Sequence, residues 1–144
     1  MSLLRPIGGC RLVAALALLM SAVAAQAADQ FPFDREMILE ARPMRPGKRM
    51  PILTVATDGR AEIDLWCKSV NGRVELGEGT ITITADPLPD ALPSRMSANQ
   101  CTPERVAADE SLLATITQAM RWRRLGDGVQ LNGAAVMNFR PGNH

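Results

Sequence analysis

Histidine is almost missing from this chain: the single one, His144, is the last residue. A Ser-His-Asp or Cys-His nucleophile needs an imidazole held in place, and no histidine stands anywhere inside the chain to supply one. Tyrosine is absent, and the only aromatic side chains are Phe31, Phe33, Phe139, Trp66 and Trp122. That supply is too thin for a platform that stacks sugars or bases. Cys67, Cys101 and a terminal histidine make no tetrahedral zinc set, and no glycine-rich phosphate loop of the required spacing occurs. Asp64 could be paired with Glu62 or Glu75 as acid and base, but alternation along strands turns all three toward water. The expectation is a protein with no catalytic residue, no metal and no cofactor, and hence no enzyme.

Long apolar runs are also scarce, with one exception near the start. Leu12 to Ala25 is almost wholly apolar, preceded by Arg5 and Arg11 and followed by Ala25-Gln26-Ala27. This is the pattern of a secretory signal peptide over residues 1–27, with cleavage within one residue of Ala27; an uncleaved N-terminal anchor is the alternative. The run is short for a bilayer span, so no transmembrane segment is expected once it is removed. Cys10 would leave with it. The remaining stretch, residues 28–144, is sized for one domain. The periplasm or cell envelope is the expected destination.

Sixteen basic and fifteen acidic residues nearly balance, and the leader holds two of the basic ones. A net charge close to zero gives no reason to expect nucleic acid or a strongly anionic surface as a partner. The local cluster Arg121, Arg123 and Arg124 reads as a solvated face. A monomer is expected.

Most of the domain reads as short strands. Asp29 to Asp34 is a lead-in, Met37 to Ala41 a first strand, Arg42 to Met50 a basic loop and Ile52 to Ala56 a second strand. Asp58-Gly59 is a hairpin turn. Ala61, Ile63 and Leu65 then alternate with Glu62, Asp64 and Trp66. Asn71-Gly72 is read as the next turn, with Val74 and Leu76 beyond it. Gly77-Glu78-Gly79 turns into Thr80-Ile81-Thr82-Ile83-Thr84, and Asp86 to Pro93 is too rich in proline for a central strand. Arg121 to Leu125, Val129 to Leu131 and Val136 to Phe139 complete the strands, and the residues from Pro141 onward read as a frayed tail.

One helix interrupts them. Thr102 is a good N-cap, Pro103 fits N1 and Glu104 favours the positive end of the dipole. Val106, Leu113 and Met120, with Leu112 and Ile116 beside them, form the expected apolar stripe. Arg105, Asp109, Glu110 and Gln118 are expected on the wet side. The fold class is therefore α+β: a curled, open barrel-like antiparallel sheet packed with one helix.

Cys67 and Cys101 remain after export. An even count in an oxidising compartment favours a disulfide, closing about 34 residues and worth about 3–4 kcal/mol in the chain-entropy model. Buried free thiols or a metal pair are the alternatives. Trp66 alternates away from Ala61, Ile63 and Leu65. It is either a partner-binding anchor or, the favoured reading, covered by the N-terminal segment through Phe31 or Phe33.

The order of these pieces resembles the META domain, the HslJ-like (DUF306) family of small bacterial envelope proteins. The resemblance is carried by Asp58-Gly59-Arg60, Asn71-Gly72-Arg73-Val74 and Met96 with Cys101-Thr102-Pro103-Glu104. Ala108 to Leu113, Trp122 and Gly126-Asp127-Gly128-Val129-Gln130-Leu131 complete it. It covers about Arg35 to Pro141. Trp66-Cys67-Lys68 stands where the family has Gly-Cys-Asn, and the interval from Met96 to Cys101 is longer than usual. The resemblance implies a curled sheet with one helix behind a leader, no agreed catalytic residues, and links to stress phenotypes. Two functions arise as expectations. One is a non-enzymatic envelope protein that binds another envelope protein or a small ligand. The other is an inhibitor of a secreted lysozyme or protease that inserts the Arg42–Met50 or Asp86–Ser94 loop.

Overall fold

The structure, a computed structural model, describes residues 31–45, 47, 49–92 and 100–142. The expected signal peptide, Met96 and His144 lie outside the described residues. Among the described residues eight strands and one helix succeed one another: β1 (Met37–Leu39), β2 (Ile52–Val55), β3 (Arg60–Asp64), β4 (Ser69–Leu76) and β5 (Ile81–Ala85). Helix α1 (Pro103–Thr117) comes next, then β6 (Arg121–Leu125), β7 (Gly128–Asn132) and β8 (Val136–Pro141). All neighbours pair antiparallel in the order β5-β4-β3-β2-β1-β8-β7-β6. One bridge, Thr80 to Arg121, joins the two outer strands and brings the sheet close to a closed barrel. Ile81 N–H donates to Met120 O and Trp122 N–H to Gly79 O across that seam.

Alternation fills the barrel. Ala61, Ile63, Val70, Val74, Ile81 and Ile83 point inward from β3 to β5, and Trp122, Val129, Leu131, Met137 and Phe139 from β6 to β8. Phe31 closes part of this core, its ring 5.2 Å from Trp122 in an edge-on arrangement and 5.1 Å from Phe33. The helix lies along β5 and delivers Ile116, with Leu112 and Leu113 packed beside it. Its C-terminal end meets the β7–β8 turn so closely that a side chain at Gly133 would strike Gln118 O. These features bear out an α+β curled sheet with one helix.

Three expectations about where elements begin and end change. Asn71-Gly72 is no turn: both residues lie inside β4, and the chain reverses earlier, over Leu65–Lys68, where Leu65 N–H donates to Lys68 O. Glycine is needed at 72 for a cross-strand reason, since a Cβ there would strike Thr84 O. The helix ends at Thr117, so Met120 falls beyond it and is 66% exposed instead of completing an apolar stripe. Finally, Pro141 belongs to β8, and Gly142 N–H donates to Glu36 O, so the tail is paired at least that far.

Candidate functional site

The most heavily built feature lies where β3 turns into β4. The segment Leu65-Trp66-Cys67-Lys68 is buried at every residue, so its backbone N–H and C=O groups need partners other than water. Charged side chains supply them. Asp109 on α1 accepts the Cys67 N–H through both oxygens at 3.1 Å and the Lys68 N–H at 2.8 Å. One turn earlier on the same helix face, Arg105 donates Nη2 to Trp66 O at 3.1 Å and Nη1 to Gln100 O. From the β1–β2 loop, Arg49 donates Nε to Leu65 O at 3.1 Å. Lys68 in turn reaches out and donates Nζ to Pro89 O at 2.6 Å.

Cys67 and Cys101 join the same knot. They sit as a pair at disulfide distance, with Cα atoms 5.6 Å apart and a sequence separation of 34. Thr102 caps the helix by accepting the Arg105 N–H, and Pro103 opens it, as their residue types predict. The helix entrance, the β3–β4 turn and the cysteine pair are thus one unit.

Arg105 and Asp109, expected on the wet side of the helix, are instead 2% and 0% exposed. The reason is what that half of the helix faces. It packs on a stretch of backbone, where the useful side chain is one that donates or accepts hydrogen bonds. Burial pushes the Asp109 carboxyl above its ordinary range, because a charge loses its hydration there. The N–H groups of Lys68 and Cys67 oppose that rise. Chemically the arrangement clamps backbone. The carboxylate's oxygens are already engaged, and among the described residues the cluster holds no second acid or imidazole with which to relay a proton.

Trp66 belongs to this buried segment, just past the end of β3, and is 7% exposed. It is covered, as favoured from the sequence. The N-terminal aromatics are engaged elsewhere, however, with Phe31 turned toward Trp122. A partner that used Trp66 would first have to displace what lies over it.

The carboxylates considered as a pair stay apart. Glu62 faces Asn71 and Asp64 faces Ser69 across the β3–β4 register, and Ser69 Oγ donates to Asp64. Glu75 lies farther along β4, opposite Thr82. Among the described residues no three His, Cys, Asp or Glu side chains gather as a metal set, and no helix is long and apolar enough to cross a membrane. An open cleft of about 670 Å³ lies at the seam, lined by Ile81, Ala119, Met120, Gly133 and Ala134 among others.

Comparison with family models, curated proteins and solved structures found no match in any of the three. Function must therefore be argued from the geometry. Sequence periodicity misses Arg105 and Asp109 as site residues. The signal that could have found them is their spacing, four residues apart on one helix face, directly after the cysteine that ties that helix to the β3–β4 turn.

Proposed function

We propose that this is a non-enzymatic, exported envelope protein of META/HslJ type that acts by binding another envelope component. One observation carries the reading. The buried acidic group, Asp109, is occupied in holding the Cys67 and Lys68 backbone, and its partners are amides instead of a substrate cavity. A sheet pinned in this way by a helix, two guanidinium groups and a cysteine pair is preorganised. Such a body loses little conformational entropy when it binds. Export and the family assignment rest on the residue patterns of the leader and of the Asp58–Leu131 stretch.

The test is a pull-down from envelope extract with the immobilised, processed protein. A partner that is retained reproducibly and competed off by free protein supports binding as the activity. Turnover of a substrate by the purified protein would overturn it.

A second reading, inhibition of a secreted lysozyme or protease, draws on the 86–92 loop. Its proline-rich chain is exposed, yet it is tied down by Lys68 Nζ on Pro89 O and by Asp86 N–H on Asn71 O. A rigid projecting loop suits insertion into a cleft. Residual-activity assays of such hydrolases at micromolar excess of the protein decide this reading, and undiminished activity removes it.

A further inference from the structure

Met120 stands apart from the other methionines among the described residues. Its side chain is 66% exposed, whereas Met37 and Met137 are buried in the barrel at 0% and 6%. Met44 and Met50, in the β1–β2 loop, are half-buried. The backbone fixes where Met120 sits. Its N–H donates to Asn132 O at 2.8 Å, and its carbonyl oxygen accepts the Ile81 N–H at 3.0 Å, so the residue ties β7 to β5 across the seam. Helix α1 has already ended at Thr117, and Ala119 takes the last inward position before β6. Bonds on both sides thus hold the Met120 thioether at the mouth of the seam cleft, facing water.

That placement has a chemical consequence. A thioether sulfur is polarizable and takes up an oxygen atom without first losing a proton. A buried one meets an oxidant only when its surroundings open. Once oxidised, it also sets a polar S=O group against apolar neighbours, at a cost to the core. Neither obstacle exists at Met120. The cleft of about 670 Å³ is open, and its lining mixes Ile81 and Ala119 with Thr82 and Gln118. Their polar groups and solvent can accommodate the added oxygen.

We propose that Met120 is a reversible oxidation site for hydroperoxides, filled in the folded protein without loss of the barrel. With hydrogen peroxide, a sulfur lone pair attacks one oxygen, the O–O bond breaks as the S–O bond forms, and the first oxygen's proton passes to the departing one, which leaves as water. Sulfur loses two electrons and the peroxide gains them. The return step requires a thiol-dependent sulfoxide reductase. Two thiols are oxidised to a disulfide, the S–O bond breaks, and the oxygen leaves as water. In the oxidised form the mouth of the cleft carries a strong acceptor in place of an apolar tip. The site goes beyond the binding function proposed above and does not depend on it.

The experiment is peptide mass mapping of the purified, folded chain after graded exposure to hydrogen peroxide. Met120 should gain one oxygen before Met44 and Met50. Met37 and Met137 should react more than about tenfold more slowly than Met120, since they wait on opening of the barrel. While Met120 is the one of these five that is oxidised, near-ultraviolet circular dichroism and the urea midpoint should match the untreated protein. The two methionine sulfoxide reductases, one for each epimer, should then remove the oxygen from the folded chain. Met120→Gln, which places a permanent polar group at the cleft mouth, should keep the parent's urea midpoint. Any of the other four methionines reacting as fast as Met120 overturns the proposal. So does a lowered midpoint in the Met120-oxidised protein or in Met120→Gln, and so does an oxygen that the reductases leave in place.

Discussion

The two halves of helix α1 hold the barrel by different means. Its first half turns Arg105 and Asp109 onto the backbone of Trp66–Lys68 through directed hydrogen bonds. Its second half turns Leu112, Leu113 and Ile116 onto the apolar core beside β5. Apolar burial is roughly proportional to area and tolerates small shifts, whereas a carboxylate shared by two N–H groups has one position that satisfies both. The first half therefore sets where the helix sits, and the second adds stability once it is there. The cysteine pair stands at the specifying end, between Cys67 in the turn and Cys101 just ahead of the helix.

Removing the acceptor should break the comparison most strongly. Asp109→Ala leaves two buried N–H groups without a partner, at about 1–3 kcal/mol each, so urea unfolding should show a loss of about 2–6 kcal/mol. The double variant Cys67→Ser/Cys101→Ser should cost about 3–4 kcal/mol by the same measurement, since it increases the freedom of the unfolded chain at that end. Ile116→Val, in the apolar half, should cost only about 0.5–1.5 kcal/mol. If Ile116→Val cost more than Asp109→Ala, the division of labour between the halves would be reversed.

How much of this is legible in the sequence depends on the range of each interaction. Asp58-Gly59, the alternation of Ala61, Ile63 and Leu65, and the Thr102-Pro103 cap are local, and each appears in the structure where residue type places it. Gly72 reads as a turn residue because its actual need arises across the sheet, from Thr84 O. Arg105 and Asp109 read as wet because periodicity weighs side-chain polarity alone. It carries no information that a distant turn presents bare backbone to that face. Met120 looks like part of the stripe because its spacing continues the helix, and nothing local announces that the helix stops at Thr117.

The smallest effect expected is one of pH. Burial holds the Asp109 carboxyl above its ordinary 3.8, so the folded state favours the protonated form more than the unfolded state does. The stability that this group contributes is complete below that ordinary value and is lost as pH rises through the raised folded value. Measured against Asp109→Asn, which does not titrate, the parent should lose relative stability as pH climbs from below 3.8 through the raised folded value. Thermal midpoints of both proteins across that range check the sign. A gap that moves the other way would mean that the N–H donors outweigh desolvation.

Amide hydrogen exchange at Cys67 and Lys68 tests the clamp most directly, compared between the parent protein and Asp109→Ala under native conditions. The account predicts that these two amides lose protection well beyond the loss seen at Leu53 and Val55 in β2, which report the barrel as a whole. Exchange at Cys67 and Lys68 that slows or changes only in step with β2 would contradict it, and would leave Asp109 with no part in placing the helix.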